Sequence, residues 1–337
     1  MIFVMNYQLT LTNDLGMKVT LSPFGAAILD ISLVLLSGEE RIVTVRPQNV
    51  DDKTFFSDYF GKTIGRNAGR IKDGLFKLNG HQFQIKENKS KHGLHGGEQS
   101  LAYARFEHQS FEDSLGKGIV FSYLSPDYES GFPGNMKVSV TYYLHARVNK
   151  LEIRYFAKSD ADTICNLTNH TYFNLDGKGT ILDHKLLIDA SIYGEVNHEI
   201  LPVGISPVNK VMDFRKEKRI GSQITDQTLI ACANGYDHPY ILDNASLVKC
   251  SISLINNAED VRLNIYSSYP CVVFYSGNYL PSVIVNNGHQ LNRYEALALE
   301  PQYFPNAINQ SFGQEKTGLL KAGVDYQETI IYEFVTK

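Results

Sequence analysis

The chain has 337 residues, 43% of them hydrophobic and 20% charged, which is typical of a globular protein with a large core. The formal net charge of −4 at pH 7 argues against nucleic acid as a partner, because such partners are bound by a basic surface. Tryptophan is absent, so 20 tyrosines and 18 phenylalanines must supply the aromatic contacts.

The start of the chain and the cysteines bear on location. Residues 1–7 have neither the basic region nor the long apolar core of a signal peptide. The most apolar stretch, residues 24–36, contains Asp30 and Ser32 and is too short to cross a bilayer. The four cysteines form no C-x-x-C pair, so we interpret them as buried free thiols. We therefore expect a cytoplasmic protein that has no membrane partner.

Residues 65–71 carry two arginines four positions apart, Arg66 and Arg70, with Gly69 directly before Arg70. Either arginine is compatible with a plain surface charge. The segment is followed by residues 76–83, in which Asn79-Gly80 stands between alternating apolar positions. Asn-Gly suits a type I′ turn, so these residues are predicted to form a β-hairpin.

Residues 92–97 combine two histidines, His92 and His95, with three glycines. Two histidines three apart resemble part of a metal site, but no third ligand stands at a recognisable spacing, and we predict no metal. The glycines either form a turn or let the backbone approach a ligand closely.

Four later segments alternate apolar and polar residues with a period of two, which indicates half-buried strands. Their apolar positions are Val138, Val140, Tyr142 and Leu144; Leu151, Ile153 and Tyr155; Cys250, Ile252 and Leu254; and Leu263 and Ile265. One short helix is predicted near residues 225–233. No linker-like stretch divides the chain, so we predict an all-β fold, a large antiparallel sandwich or barrel with few short helices, as a single domain over residues 1–337.

Residues 169–175 place His170 among amide and aromatic side chains, directly after a strand-like run over residues 162–168. Such surroundings can hold an imidazole as a proton donor or acceptor, and aromatic faces with hydrogen-bonding groups also bind sugars. A histidine that only packs in the core is the alternative interpretation. Tyr172 in this segment, with Tyr236 and Phe304 elsewhere, is a candidate for stacking on a sugar ring, and core packing is the expected role for at least one of the three.

Two further segments each contain one carboxylate of interest. Asp237 lies in residues 234–240, where it suits either a turn or the binding of paired hydroxyls. Its neighbour His238 is interpreted as structural. Glu300 follows the apolar run of residues 296–299, and a glutamate so placed is seldom buried without a partner or a task.

In this order along the chain, the segments at residues 65–71, 92–97, 169–175, 234–240 and 297–307 resemble the aldose 1-epimerase (galactose mutarotase) family. Residues 201–204, 213–215 and 273–278 support the resemblance, which covers nearly the whole chain. It implies a galactose mutarotase-like β-sandwich with its site in a cleft on one sheet, and an enzyme without a cofactor. It further implies the residue roles: Glu300 as general base, His170 as general acid, and Arg70, His95 and Asp237 as substrate-binding residues.

The expected chemistry is exchange of the α and β anomers of free hexoses such as galactose and glucose. Opening a cyclic hemiacetal requires one group to remove the C1 hydroxyl proton and another to protonate the ring oxygen. A carboxylate and an imidazolium suit these tasks. Nearby carboxylates, Glu300 or Asp237, are expected to raise the pKa of His170 and keep its acid form populated at pH 7.

Three alternatives remain at this point. The first two are an epimerase for a disaccharide or for a hexose 6-phosphate. Lys91 is the one cation directly next to the two histidine segments, which disfavours a phosphate. The third is a non-catalytic carbohydrate-binding sandwich.

Many family members carry asparagine where this chain has Gly69, so a hydrogen bond is lost or supplied elsewhere. The small-molecule sugar is the only expected partner, with the chain a monomer or weak homodimer.

Overall fold

The computed structural model describes residues 8–50, 58–88, 90–313 and 316–337. Strands dominate these residues, with one α-helix, α1 (Gln227–Ala233), and short 3₁₀ turns at Lys72–Gly74, Leu101–Tyr103, Glu129–Gly131, Ile181–Asp183, Ile220–Gln223 and Ala307–Asn309. The strands are β1 (Leu9–Thr12), β2 (Lys18–Ser22), β3 (Ala27–Val34), β4 (Glu40–Ile42), β5 (Thr44–Val45), β6 (Thr63–Ile64), β7 (Leu75–Leu78), β8 (His81–Gln84), β9 (Glu107–Glu112), β10 (Gly116–Ser125), β11 (Met136–His145), β12 (Lys150–Ser159), β13 (Thr163–Ile164), β14 (Thr168–Asn169), β15 (Tyr172–Phe173), β16 (Lys185–Ile188), β17 (Ile192–Val196), β18 (Pro202–Pro207), β19 (Lys218–Arg219), β20 (Asp237–Ile241), β21 (Ile252–Ile255), β22 (Val261–Ser267), β23 (Cys271–Tyr275), β24 (Leu297–Gln302), β25 (Leu319–Leu320) and β26 (Asp325–Thr336).

Two large antiparallel sheets form the body of the fold. The nine-stranded sheet has the order β19-β16-β21-β22-β26-β12-β11-β10-β9, and the seven-stranded sheet has the order β18-β17-β20-β23-β24-β15-β5. Strands β1 to β4 form a third sheet, and β7-β8, β13-β25 and β14-β6 pair by themselves. The prediction of an all-β, antiparallel sandwich is confirmed.

The core lies between the two large sheets because each turns its apolar face inward. On β11, Val138, Val140 and Tyr142 are buried, whereas the residues between them are half-buried. They belong to the same apolar cluster as Phe173 of the seven-stranded sheet. The ring of Phe173 meets that of Tyr332 on β26 edge to face, with centroids 5.3 Å apart. Burial of each such side chain contributes roughly 1.5–3 kcal/mol.

Several local predictions are confirmed and two need correction. Strands β7 and β8 form the predicted hairpin, with Asn79 and Gly80 both at positive φ as a type I′ turn requires. Helix α1 lies within the range predicted for it. Strand β21 begins at Ile252, so Cys250 precedes the strand. The run over residues 162–168 is not one strand but contributes only β13 and the first residue of β14.

The cysteines and the helix content also bear on the earlier expectations. All four cysteines are free, but only Cys165 and Cys271 are buried, whereas Cys232 and Cys250 are half-buried. Within the described parts of the chain, no helix has the length and apolar character needed to cross a membrane. The division into one domain over residues 1–337 stays a prediction.

Strand alternation on the seven-stranded sheet brings distant residues to one face. Val273 of β23 pairs with Glu300 of β24, and Tyr275 of β23 pairs with Asp237 of β20. On the other side of β24, Ala298 pairs with Tyr172 of β15. Directly paired residues point to the same side of a sheet. Four neighbouring strands therefore turn these side chains away from the core.

Candidate active site

A cavity of about 200 Å³ opens on this outer face of the seven-stranded sheet. All five predicted site residues line it: Arg70, His95, His170, Asp237 and Glu300. They are separated by up to 230 positions in sequence, so only the fold brings them together. The cavity is smaller than the roughly 300–1,000 Å³ typical of ligand sites, which suits a small ligand.

Glu300 and His170 form a buried acid–base pair in this cavity. Only 3% of Glu300 and 5% of His170 is exposed, and His170 Nε2 lies 3.6 Å from Glu300 Oε1. This distance is too long for a direct hydrogen bond. Glu300 Oε2 and His170 Nδ1 are also buried without a hydrogen-bond partner among the described residues. Buried polar atoms are normally paired, so these atoms indicate a site that binds a polar ligand.

The backbone around His170 is fixed by its neighbours. The N–H of His170 donates to the carbonyl oxygen of Lys62, and its own carbonyl oxygen accepts from the N–H of Gly61. The Asn169 amide donates to the Gly61 carbonyl oxygen and to the Tyr142 hydroxyl, which reaches it from the nine-stranded sheet. The imidazole packs against the ring of Tyr172, with centroids 4.8 Å apart. The amide and aromatic residues noted in the sequence thus hold the histidine in place.

The expectation that carboxylates raise the pKa of His170 is wrong. Burial lowers its pKa to about 4, because removing the imidazole from water disfavours the charged form. The sequence predicts that carboxylates share the site with His170 but does not show how completely the ring is enclosed. The neutral imidazole is therefore the dominant form at neutral pH.

The pKa values of the two carboxyl groups, Glu300 and Asp237, are shifted upward, opposite to that of His170. Burial raises the pKa of Glu300 well above its usual value, the negative charge of Asp237 adds to this, and Arg70 opposes it. Burial likewise raises the pKa of Asp237 to about 6, again opposed by Arg70. Perturbed carboxyl groups in one cavity are typical of sites that move protons.

His95 is held as a hydrogen-bond donor. The backbone N–H of Gly69 donates to His95 Nδ1 at 3.2 Å, and the N–H of His95 donates to the Gly69 carbonyl oxygen at 2.9 Å. Because Nδ1 of the neutral ring accepts, the proton of His95 resides on Nε2. Gly96 packs against protein backbone: a Cβ there would lie 2.1 Å from the Gly65 carbonyl oxygen. That glycine serves the turn and does not line the cavity.

The two arginines of residues 65–71 have different surroundings. Arg66 is 2% exposed, and its guanidinium donates to the carbonyl oxygens of Ser125, Pro126 and Pro133. It is a structural residue that ties three chain segments together. Arg70 is half-buried and lines the cavity, so its guanidinium can contact a ligand.

Of the three aromatic residues considered for stacking on a sugar, one lines the cavity. Tyr172 does so, but Tyr236 and Phe304 do not. Tyr236 is fully buried and stacks on Phe274 with centroids 5.1 Å apart. Phe304 packs against Phe312. Tyr236 and Phe304 therefore have the packing role that was expected for at least one of the three rings, and Tyr172 alone of the three lies where it can contact a sugar.

Sequence reasoning missed several cavity residues. Asp58 and Tyr59 precede the segment at residues 65–71, and Ile200 lies in the loop between β17 and β18. Gln302 lies two residues beyond Glu300 on β24. The sequence could have predicted Gln302 as a cavity residue, since positions two apart in a strand share a face. No sequence pattern predicted Ile200, because its position depends on the conformation of the loop.

The positions of His92, His95 and His170 decide which histidines could bind a metal ion. His92 does not line the cavity: its Nδ1 accepts from the N–H of Asp73, and its Nε2 lies 3.3 Å from a Glu199 oxygen. His95, His170 and Glu300 each have a potential ligand atom within 4.8 Å of the others, so together they are able to hold a metal ion. That no metal takes part stays a prediction. His238 is buried outside the cavity, where its Nδ1 accepts from the N–H of Asp237.

Comparison with known proteins points to one family. A model of the family described as aldose 1-epimerase matches residues 7–333. An aldose 1-epimerase from Haemophilus influenzae is 33% identical over 335 residues, covering 97% of this chain and 96% of its own length. A human galactose mutarotase is 36% identical over 282 residues, covering 82% and 79% respectively. The crystal structure of a galactose 1-epimerase from Lactobacillus acidophilus aligns with a TM-score of 0.85 at 31% identity, covering 98% of this chain and 94% of that chain. The chain therefore belongs to the aldose 1-epimerase family and is an isomerase of carbohydrates.

Proposed function

We propose that this enzyme interconverts the α and β anomers of free hexoses such as D-galactose and D-glucose. The observation that carries the proposal is the buried pair of Glu300 and His170, enclosed in one cavity with His95, Asp237 and Arg70. The relatives named galactose mutarotase support galactose as a substrate.

Ring opening uses the two groups in complementary roles. Ring opening starts from the form of the pair in which its one proton is on His170, a minor form at neutral pH because burial favours the neutral imidazole and the protonated carboxyl. In that form the Glu300 carboxylate removes the proton of the C1 hydroxyl, and His170 donates to the ring oxygen as the bond between C1 and that oxygen breaks. The aldehyde forms at C1 without any change in oxidation state. His95 Nε2–H, Arg70 and Asp237 hold sugar oxygens and hydroxyls while the open chain rotates about the C1–C2 bond.

The electrostatics of the site favour the opened state. After opening, Glu300 is protonated and His170 is neutral, and these are the forms that burial favours for each group. Closure on the other face of the aldehyde reverses both proton transfers and restores the pair. A pair that holds one proton in total is therefore competent for both half-reactions, and no cofactor is consumed.

The cavity wall favours a neutral monosaccharide over a hexose 6-phosphate. Arg70 is the one lysine or arginine among the described residues that line the cavity. Phosphate is usually held by more than one cationic or N–H donor group. The small cavity also favours one sugar ring over a disaccharide.

Polarimetry of freshly dissolved α-D-galactose at low buffer concentration tests this function. We expect faster decay to the same final rotation when the enzyme is added, and a similar acceleration with α-D-glucose. Maltose and glucose 6-phosphate serve as comparison substrates. Saturable binding without any acceleration would contradict the proposal and identify a carbohydrate-binding protein instead.

We further propose a cytoplasmic location and a monomeric or weakly dimeric state. The four free cysteines suit a reducing compartment, in which disulfides are rare. Fractionation of cells and sedimentation of the purified protein test these two points.

A further inference from the structure

Gln302 is a cavity residue to which the proposed mechanism gives no task. It ends strand β24, two positions after Glu300, so both side chains lie on the cavity face of the strand. Only 1% of Gln302 is exposed. A glutamine so deeply buried normally has all its polar atoms paired.

Only the nitrogen of the Gln302 side-chain amide has a hydrogen-bond partner among the described residues. Its Nε2 donates to the carbonyl oxygen of Glu300 at 3.4 Å, whereas its Oε1 is buried without a partner in the described parts of the chain. The opposite orientation of the amide would place two oxygens against each other. The contact with the Glu300 carbonyl therefore makes Oε1 the atom that is left to accept a hydrogen bond.

Gly69 lies beside this oxygen in the wall of the cavity. A Cβ at position 69 would lie 3.3 Å from Gln302 Oε1 and 3.0 Å from Pro305 Cβ. Gly69 also adopts φ +73°, a conformation that residues with a side chain rarely take. Because position 69 has no side chain, none stands between the cavity and the oxygen at this point.

We propose that Gln302 Oε1 accepts a hydrogen bond from one hydroxyl group of the bound sugar and so acts as a specificity-determining residue. The inference rests on the proposed function, since it takes the sugar as the ligand. The amide is neutral and does not titrate, so it takes no part in the proton transfers. It recognises a hydroxyl because that group donates, and a substrate lacking the hydroxyl leaves the oxygen unpaired.

The test combines Gln302→Met with sugars that each lack one hydroxyl. Methionine keeps the length and volume of the side chain but removes the amide. The values of kcat/KM for D-galactose and for its 2-, 3-, 4- and 6-deoxy derivatives are measured on both proteins, with spontaneous mutarotation subtracted. Gln327→Met is the matched control, because Gln327 is exposed on β26 and does not line the cavity.

We expect Gln302→Met to lower kcat/KM for galactose about tenfold, as for one lost hydrogen bond. One deoxy sugar should lose the same factor with the wild-type enzyme and lose nothing further with the variant. Gln327→Met should leave every value unchanged. An equal loss in the variant for all five sugars, including that deoxy sugar, would overturn the proposal and leave Gln302 a structural residue.

A second variant and a second readout keep the test decisive. If Gln302→Met does not fold, Gln302→Asn retains the amide but withdraws it by one methylene, and the same selective loss is expected. Turnover of galactose by the wild-type enzyme tests the proposed function separately. If that turnover is absent, dissociation constants from calorimetry for the same five sugars decide whether Gln302 contacts one hydroxyl.

Discussion

The two faces of the seven-stranded sheet are built from the same strands but follow different rules. On β24, Leu297 and Leu299 point to the core and lie in the main apolar cluster. Glu300 and Gln302 are as deeply buried on the other face, yet each has an oxygen without a partner among the described residues. Apolar burial stabilises the fold, whereas unpaired polar burial costs free energy.

This difference separates the residues that stabilise the protein from those that act on substrate. Alternation by single residues lets one strand serve both purposes. Substitutions on the core face should reduce the stability and spare the rate per folded molecule. Substitutions on the cavity face should reduce the rate and spare the stability.

The largest expected effect is that of Glu300→Gln. Removal of the general base should lower kcat by roughly 10²- to 10⁴-fold, while the sugar still binds. The pKa of Glu300 is raised in the folded protein, so this group destabilises the fold increasingly as pH rises above its unfolded value. The variant should therefore be at least as stable as the wild type at pH 8. His170→Asn should lose kcat similarly. Polarimetry and urea denaturation measure the two quantities, and a wild-type rate for Glu300→Gln would refute the base assignment.

On the core face, Leu297→Ala should have the opposite profile. Leu297 is fully buried, so the substitution should cost about 2–5 kcal/mol of unfolding free energy. Its kcat per folded molecule should stay close to the wild-type value. Leu124→Ala is the matched control, since Leu124 is 56% exposed on β10 and its loss should change little. Unfolding by urea gives the comparison, and equal effects of both variants would contradict the separation of the two faces.

A smaller effect is expected on the pH profile of kcat/KM. Activity should persist while the pair holds one proton, falling below about pH 4, where His170 is protonated as well, and at alkaline pH, where Glu300 loses its proton. The charge of Asp237 helps to raise the pKa of Glu300, so Asp237→Asn should move the alkaline limb to lower pH. Asp325→Asn, an exposed change on β26, should leave the limb in place. An alkaline limb that does not move would show that Glu300 does not set it.

The smallest effect is expected where the nine-stranded sheet supports the His170 segment. The Tyr142 hydroxyl donates to the Ala26 carbonyl oxygen at 2.6 Å and accepts from the Asn169 amide. Tyr142→Phe should cost about 1–2 kcal/mol of stability and lower kcat only slightly. The control is Tyr332→Phe, because the buried Tyr332 hydroxyl has no partner in the described ranges and its removal should not destabilise. Denaturation curves distinguish the two, and equal losses would argue against this hydrogen-bond network.

Much of this organisation was predictable from sequence. Alternation in residues 138–144 predicted which side of β11 faces the core, and Asn79-Gly80 predicted the hairpin turn. The five cavity residues were predicted through resemblance to a family, since spacing alone cannot show that Arg70 and Glu300 meet in space.

The remainder depended on burial, which sequence does not show. The pKa of His170 was expected to rise because Glu300 or Asp237 was thought to lie nearby, yet removal from water lowers it and outweighs the attraction of Asp58. Tyr236 and Phe304 lie in segments next to site residues, but their rings turn toward the packing. Ile200 reaches the cavity through the fold of a loop, with φ +58° in a region that β-branched residues rarely adopt.

Magnetisation transfer between the two anomeric proton signals of D-galactose at equilibrium tests the central claim most directly, because it observes anomer exchange itself. With the wild-type enzyme we expect saturation of the α signal to reduce the β signal well beyond the spontaneous exchange. With the same concentration of Glu300→Gln, this transfer should fall to the spontaneous level although the sugar still binds. Undiminished transfer with the variant, or none with the sugar-bound wild-type enzyme, would contradict the assignment of the cavity as a mutarotase site.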